Sequence, residues 1–281
     1  MKRWDTVAIV GVGLIGGSVG RALLARGLAG RVIGIGRRAS TLKKARQLGA
    51  VSETTTRLAQ GVAEAQLVIV CTPVDSVVPL VREAAAACPP GCLLTDAGST
   101  KARIVAELDA GLDQGVAFVG SHPLAGSDRS GPEWARDDLF QDRVVVITPT
   151  ARTRVRDVAR IRALWRALGA GVVAMSPRRH DETVAATSHA PHVLAALLAG
   201  ATPRRYLPLV ASGWLDTTRV AGGDVETWTQ ILQQNRAAVL KSLDKFAKVL
   251  DAMRRALAED DRPAIAGLLE AGKRNRDAVG N

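Results

Sequence analysis

Seven short apolar runs punctuate the first part of the chain: Val7 to Val10, Val32 to Ile35, Leu67 to Cys71, Leu93 to Thr95, Phe118 to Val119, Val144 to Ile147 and Val172 to Met175. The stretches between them have helical spacing, and that alternation predicts an α/β fold built on a mainly parallel sheet with helices on both faces. Leu67-Val68-Ile69-Val70 has no polar position, as a strand covered on both sides requires. After about Pro177 the β-rich runs cease and helical periodicity continues to the end, which divides the chain into residues 1–176 and an all-helical 177–281. The clearest helix is expected from Val225 to Ala258, where Leu232, Val239, Leu243, Phe246, Leu250, Met253 and Leu257 form a seam with spacings of four and three after Val239. At ~1.5 Å per residue it would be about 50 Å long, more than a small domain needs for its own core. A homodimer formed through the C-terminal helices is therefore expected in preference to a helix lying on its own subunit.

The first apolar run leads into Gly11-Val12-Gly13-Leu14-Ile15-Gly16-Gly17, and a helix-like stretch, Ser18 to Arg26, follows. Strand, glycine turn and helix in that order form a dinucleotide cradle: Gly11 turns the chain, Gly13 lets backbone approach a pyrophosphate, and Gly16 lets helix and strand pack closely. The segment 1–176 thus reads as a Rossmann-type domain, with Gly11, Gly13, Leu14, Ile15 and Gly16 as cofactor contacts. An acid at the end of the second strand would take the ribose 2′-hydroxyl of NAD. Here Arg31 to Ile35 ends at Gly36, and Arg37, Arg38, Ser40 and Thr41 follow, a set suited to a 2′-phosphate. NADP is expected ahead of NAD; the competing reading leaves both arginines in solvent with Ser40 as a helix N-cap. Thr72-Pro73 ends the Leu67 run at the carboxyl edge of the sheet, where ligands of such folds collect, and joins the cofactor candidates.

Charge narrows the partners. The chain has 38 basic and 27 acidic residues, net +11, but the arginines are scattered through helical stretches and only one Tyr and three Phe could stack on bases. A small anionic substrate is expected, not nucleic acid. The N-terminal residues run into the first strand without an apolar signal core and no uninterrupted apolar stretch reaches spanning length, so no membrane association is expected. Three cysteines, Cys71, Cys88 and Cys92, lack metal-ligand spacing and read as buried thiols of a cytoplasmic protein.

All four histidines lie in two short segments, one containing His122 and the other running from His180-Asp181 to Ser188-His189-Ala190-Pro191-His192. His122 is expected in a Gly- and Pro-rich loop just past a strand, at the edge where the nicotinamide would lie. An imidazole there could take a proton from an alcohol as hydride leaves the same carbon, or could make a structural hydrogen bond. His189 and His192, three apart near an expected helix start, could share a face and serve substrate contact or structural pairing. No further His or Cys completes a zinc set, and no metal is expected. Ser99, in Asp96-Ala97-Gly98-Ser99-Thr100-Lys101, could cap a helix or reach the reacting alcohol.

Taken together, these segments, with Gly120-Ser121-His122-Pro123-Leu124-Ala125-Gly126 and Thr218-Arg219-Val220-Ala221 followed by Trp228, resemble the prephenate/arogenate dehydrogenase family of tyrosine biosynthesis over essentially the whole chain. The resemblance implies a dinucleotide-binding domain followed by a helical domain that dimerises. It also implies oxidative decarboxylation of a cyclohexadienyl ring, with hydride passing to NADP or NAD. By the same resemblance His122 is the catalytic base and Ser99 orients the ring hydroxyl. Arg219 grips the side-chain carboxylate, and His189, His192 and Trp228 belong to the substrate site. Asp128 stands where many relatives carry Glu, and Ala190 where Leu is commoner. The rival expectations are an NADP-linked enzyme of the β-hydroxyacid or imine-reducing type, whose key residue would come from the helical domain, and a non-catalytic nucleotide sensor.

Overall fold

The computed structural model describes residues 3–112, 115–126 and 129–280, so Asp128 lies outside the described residues. Its first half alternates strand and helix as the apolar runs demand: β1 (Trp4–Val10), α1 (Leu14–Ala25), β2 (Ala29–Ile35), α2 (Ala39–Gln47), β3 (Glu53–Thr55) and α3 (Leu58–Val62). Then come β4 (Leu67–Val70), α4 (Val74–Ala87), β5 (Leu93–Asp96), α5 (Ala102–Leu108) and β6 (Ala117–Pro123). The sheet is completed by β7 (Val144–Thr148), α6 (Val155–Ala167) and β8 (Gly171–Ala174).

Among the described residues these strands form one eight-stranded sheet in the order β3-β2-β1-β4-β5-β6-β7-β8. Pairing is parallel from β3 to β6, antiparallel between β6 and β7, and parallel again between β7 and β8. The reversal of strand order beside β1 opens the crevice in which such sheets take ligands. Side chains alternate across the pleat. Val7 and Ile9 pack with Leu23, Phe140 and Trp165 on one face, while Ala8 and Val10 join Val68, Val70, Val77 and Val81 on the other.

Two details of the sheet differ from the sequence reading. β3 was not expected, because Glu53-Thr54-Thr55 has no apolar position; it pairs through backbone alone, from Ile33↔Glu53 to Ile35↔Thr55. His122 belongs to a strand, not a loop, because β7 pairs with it (His122↔Val146) and extends β6 through Pro123.

The helical half contains α7 (Pro177–Val184), α8 (Ala190–Ala201), α9 (Ser212–Thr218), α10 (Val225–Gln234), α11 (Arg236–Ala258) and α12 (Arg262–Asp277). A π-helical turn, Ala185–His189, joins α7 to α8, so that a 25-residue helical run extends from Pro177 to Ala201. Its wide turn puts the Ala190 N–H on the Ala185 carbonyl immediately before Pro191, a residue with no N–H to give. His189 therefore lies inside a helix, not at its start. By length and composition this run could span a bilayer, yet His180, His189 and His192 on it are all buried against protein partners, as the axis of a folded domain requires.

The single helix expected from Val225 to Ala258 is two. Asn235, at φ −102° and ψ 23°, separates α10 from α11, and the 23 residues of α11 span about 35 Å instead of 50 Å. The seam stays largely open: Val239 is buried, but Phe246 is 41%, Leu250 47% and Leu257 61% exposed. α12 folds back on α11.

Trp165 sits at the centre of the larger core, fully buried edge-on to Phe140, with its indole N–H donating to Ser121 Oγ at 3.1 Å. Trp165→Ala should lower unfolding free energy by about 3–5 kcal/mol, and Trp165→Phe by distinctly less, in urea titration. Equal losses would mean that the indole hydrogen bond, not volume, dominates.

Candidate active site

The glycine cradle is built as its spacing dictates. Gly11 turns with φ +93°, and a side chain there would overlap the Cys71 carbonyl. At Gly16 an added methyl would overlap the Gly11 carbonyl oxygen, whereas at Gly13, the N-cap of α1, it would meet nothing within 4 Å. Open space at the N-terminus of a 12-residue helix, next to the unpaired amides of Leu14, Ile15 and Gly16, suits a pyrophosphate. The Thr72 hydroxyl beside this turn is buried without a hydrogen-bond partner in the protein. An orphan of that kind calls for a ligand, and the residues present fit a dinucleotide.

The Gly11 N–H donates to Ile35 O at 2.8 Å, which holds the tip of β2 against the glycine turn. Arg37, Arg38 and Ser40 follow it, exposed, with Thr41 half-buried. The N-cap position of α2 belongs to Arg38, so Ser40 is not the cap.

β5 and β6 end side by side, in register at Thr95↔Val119, and carry the reactive groups. Buried Asp96 accepts hydrogen bonds from the Gly98 N–H at 2.9 Å and the Ser121 N–H at 3.1 Å, and pairs with the ammonium of Lys101, which is fully buried as well. Burial pushes the Lys101 ammonium's pKa down, against the pull of Asp96. Thr100 Oγ donates to Gln234 at the end of α10 at 2.7 Å. These contacts fix the loop that holds Ser99, whose half-buried hydroxyl makes no hydrogen bond among the described residues.

His122 stands at the end of β6, partly exposed, with Nδ1 2.8 Å from His180 Nε2. His180 Nδ1 lies 2.7 Å from Asp181 Oδ1. The Asp181 carboxylate also accepts the backbone N–H groups of Lys101 at 2.8 Å and Ala102 at 2.9 Å, at the start of α5. Burial, then His180, Lys101 and His189, holds the His122 pKa well below 6.5, so the ring is neutral near pH 7. The His180-Asp181 pair and Lys101 were not singled out from sequence as site residues. Their signal is spatial: His180 meets His122 across 58 positions of chain.

The helical half supplies a second cluster. The His192 ring stacks on Trp228 at 3.5 Å and 12°, and the His189 ring meets Trp228 edge-on at 6.0 Å. Asn235, unmarked by any sequence motif, donates through Nδ2 to Asp181 O at 2.8 Å and lies 3.1 Å from His189 Nδ1. His192 Nδ1 is buried with no partner in the protein. Arg219 opens a 3₁₀ turn (Arg219–Gly222) against α8; it is exposed and makes no ion pair among the described residues. Of the two acids near it in sequence, Asp224 is engaged as the N-cap of α10, accepting from Thr227 N at 2.8 Å.

Comparison with known proteins bears on the whole chain. Residues 19–174 match the family described as "Prephenate dehydrogenase, nucleotide-binding domain", and residues 176–271 match "Prephenate dehydrogenase, dimerization domain". The chain is 33% identical to a prephenate dehydrogenase of Bacillus subtilis over 98% of its own length and 76% of the relative's. It is similar to the crystal structure of a prephenate dehydrogenase from Aquifex aeolicus in complex with hydroxyphenyl propionate and NAD+, with TM-score 0.90, 28% identity and 98% of each chain covered. An arogenate dehydrogenase structure from Synechocystis gives TM-score 0.80 and 30% identity, over 98% of this chain and 99% of that one.

The buried imidazoles have a cost in acid. His189 is pushed down to about 4, chiefly by burial, and His122 and His192 are lowered as well. Between about pH 6.5 and 4 the unfolded chain binds protons that the folded one refuses, so stability declines as pH falls through that window. Calorimetry from pH 7 to pH 4.5 should show Tm dropping by several degrees. A constant Tm would contradict the neutral assignments.

Proposed function

The chain belongs to the prephenate dehydrogenase family, and from that premise we propose that His122 is the general base of its reaction, working in a site completed by Ser99, Arg219, His192, His189 and Trp228. The enzyme is a nicotinamide-dinucleotide-dependent dehydrogenase of tyrosine biosynthesis, and its reaction is the oxidative decarboxylation of a cyclohexadienyl substrate, prephenate or arogenate. The reading as a β-hydroxyacid- or imine-reducing enzyme is not favoured, since the family match spans both halves of the chain.

One observation carries the assignment of the base: a neutral, partly exposed imidazole at the end of β6, beside the glycine crevice, with one ring nitrogen bound to His180 and the other free. That free nitrogen takes the proton of the ring hydroxyl, and Ser99 orients the hydroxyl from the neighbouring strand end. The bound nicotinamide supplies the hydride acceptor. As the carbinol carbon is oxidised the ring carboxylate departs as carbon dioxide, and the ring becomes aromatic. Arg219, cationic and without an ion-pair partner among the described residues, takes the side-chain carboxylate through a planar two-pronged contact. The stacked His192 and Trp228 form a flat wall suited to a six-membered ring.

Arg37 and Arg38, with Ser40 and Thr41, bind the 2′-phosphate of NADP in this reading, supported by their exposure at the tip of β2 and the lack of an acid there. The working form is a cytoplasmic homodimer that covers the open apolar face of α11, in keeping with the family's dimerisation domain.

His122→Asn should cut kcat by about two powers of ten or more and leave KM nearly unchanged. Arg219→Gln should chiefly raise KM, and normal substrate binding by that variant would remove Arg219 from the site. With both cofactors assayed side by side, kcat/KM should favour NADP, and Arg37→Ala with Arg38→Ala should abolish the preference. A strong NAD preference in the unaltered enzyme would mean that the arginines serve something else.

A further inference from the structure

The mechanism so far uses one nitrogen of His122 and leaves a buried chain of acceptors behind the other. Asp181 is 4% and His180 0% exposed, and neither would touch a substrate bound beyond His122. Asp181 already accepts two backbone N–H groups at the start of α5, which favour its ionised form, and a carboxylate has no proton to give. The hydrogen at the 2.7 Å contact therefore belongs to His180 Nδ1. A neutral His180 is then an acceptor at Nε2, and the 2.8 Å contact requires the hydrogen on His122 Nδ1. His122 is left with its lone pair on Nε2, at the far edge of the ring, which is the tautomer a base needs.

We propose that His180 and Asp181 are positioning residues that fix this tautomer of His122 and receive its displaced proton during turnover. The proposal rests on His122 being the base. In the step, the substrate O–H bond breaks and an N–H bond forms at His122 Nε2. Together with it the His122 Nδ1–H bond breaks and an N–H bond forms at His180 Nε2. The positive charge comes to rest on His180 beside the Asp181 carboxylate, farther from the substrate. After product leaves, the same transfers run in reverse and water removes the proton from His122.

The charged and titratable neighbours support that direction. Lys101, from the turn before α5, and His189, from the π-helical turn, both oppose a cation on His122. Asp96 is occupied by Lys101. Asp181 alone is directly hydrogen-bonded to the chain of two imidazoles. Asn235, on the side of His189, adds no charge.

The test uses the full-length enzyme and three variants. Since the chain has four histidines, 15N-histidine NMR can assign each ring directly. His122 should appear as the Nδ1–H tautomer. In His180→Ala, which removes the acceptor, it should shift towards the Nε2–H form usual for free imidazole, and kcat should fall about 100-fold with KM within about twofold. His180→Gln can accept the hydrogen bond but not the proton, so it should restore the tautomer while recovering only part of kcat. Asp181→Asn should lower kcat about tenfold or more and shift the acid limb of the pH profile, because the relayed charge loses its counter-ion. If His122→Asn abolishes turnover while His180→Ala retains the parent kcat, pH profile and His122 tautomer, the relay is refuted and the base stands. If His122→Asn stays active, the base assignment fails first. An Nε2–H tautomer on His122 in the parent enzyme would reverse the chain and overturn the proposal outright.

Discussion

The carboxylate of Asp181 ties the two halves of the molecule together. From α7 it reaches into the sheet half and accepts the first amides of α5, where the helix dipole favours negative charge. Its own backbone carbonyl takes the Asn235 amide from the junction of α10 and α11. A buried charge is tolerated only when its lone pairs are filled, and here two peptide donors and one imidazole fill them. The consequence is geometric: the strand end carrying His122 and the helical run carrying His189 and His192 cannot move independently while this knot holds.

A second buried charge pair, Asp96 with Lys101, does the same work within the sheet half. It closes the loop that follows β5, so the segment bearing Ser99 is held from Asp96 at one end and from Gln234 at the other. Backbone at the carboxyl edge of a sheet would otherwise be free to flex, and a hydroxyl meant to orient a substrate needs a fixed position. The crevice is thus rigid where the chemistry is proposed and open where a ligand would enter, at Gly13 and at the exposed Arg219.

Much of this was legible in the sequence because hydrophobic periodicity reports burial directly. The strands covered on both faces announced themselves as unbroken apolar runs, and the glycine turn could be placed because strand and helix flanked it. β3 was invisible since Glu53-Thr54-Thr55 depends on its neighbour's backbone and not on burial. The break at Asn235 escaped notice because neither Gly nor Pro marks it; the residue is called away from helical geometry by partners on α7 and the π-helical turn. His180 was visible as a motif but mute as to role, since what gives it one is a strand pairing that carries His122 to its side. Periodicity encodes which face is buried, and it does not encode which distant polar groups will meet there.

The wide turn at Ala185–His189 has a wider meaning for the spacing of the histidines. An ordinary helix advances about 100° per residue, so twelve positions would leave His192 about 120° out of phase with His180. One residue absorbed by the π turn brings that offset back to about 20°. The interval between these histidines therefore works as a rotational register, and a chain shortened by one residue there would keep every imidazole while losing their common heading.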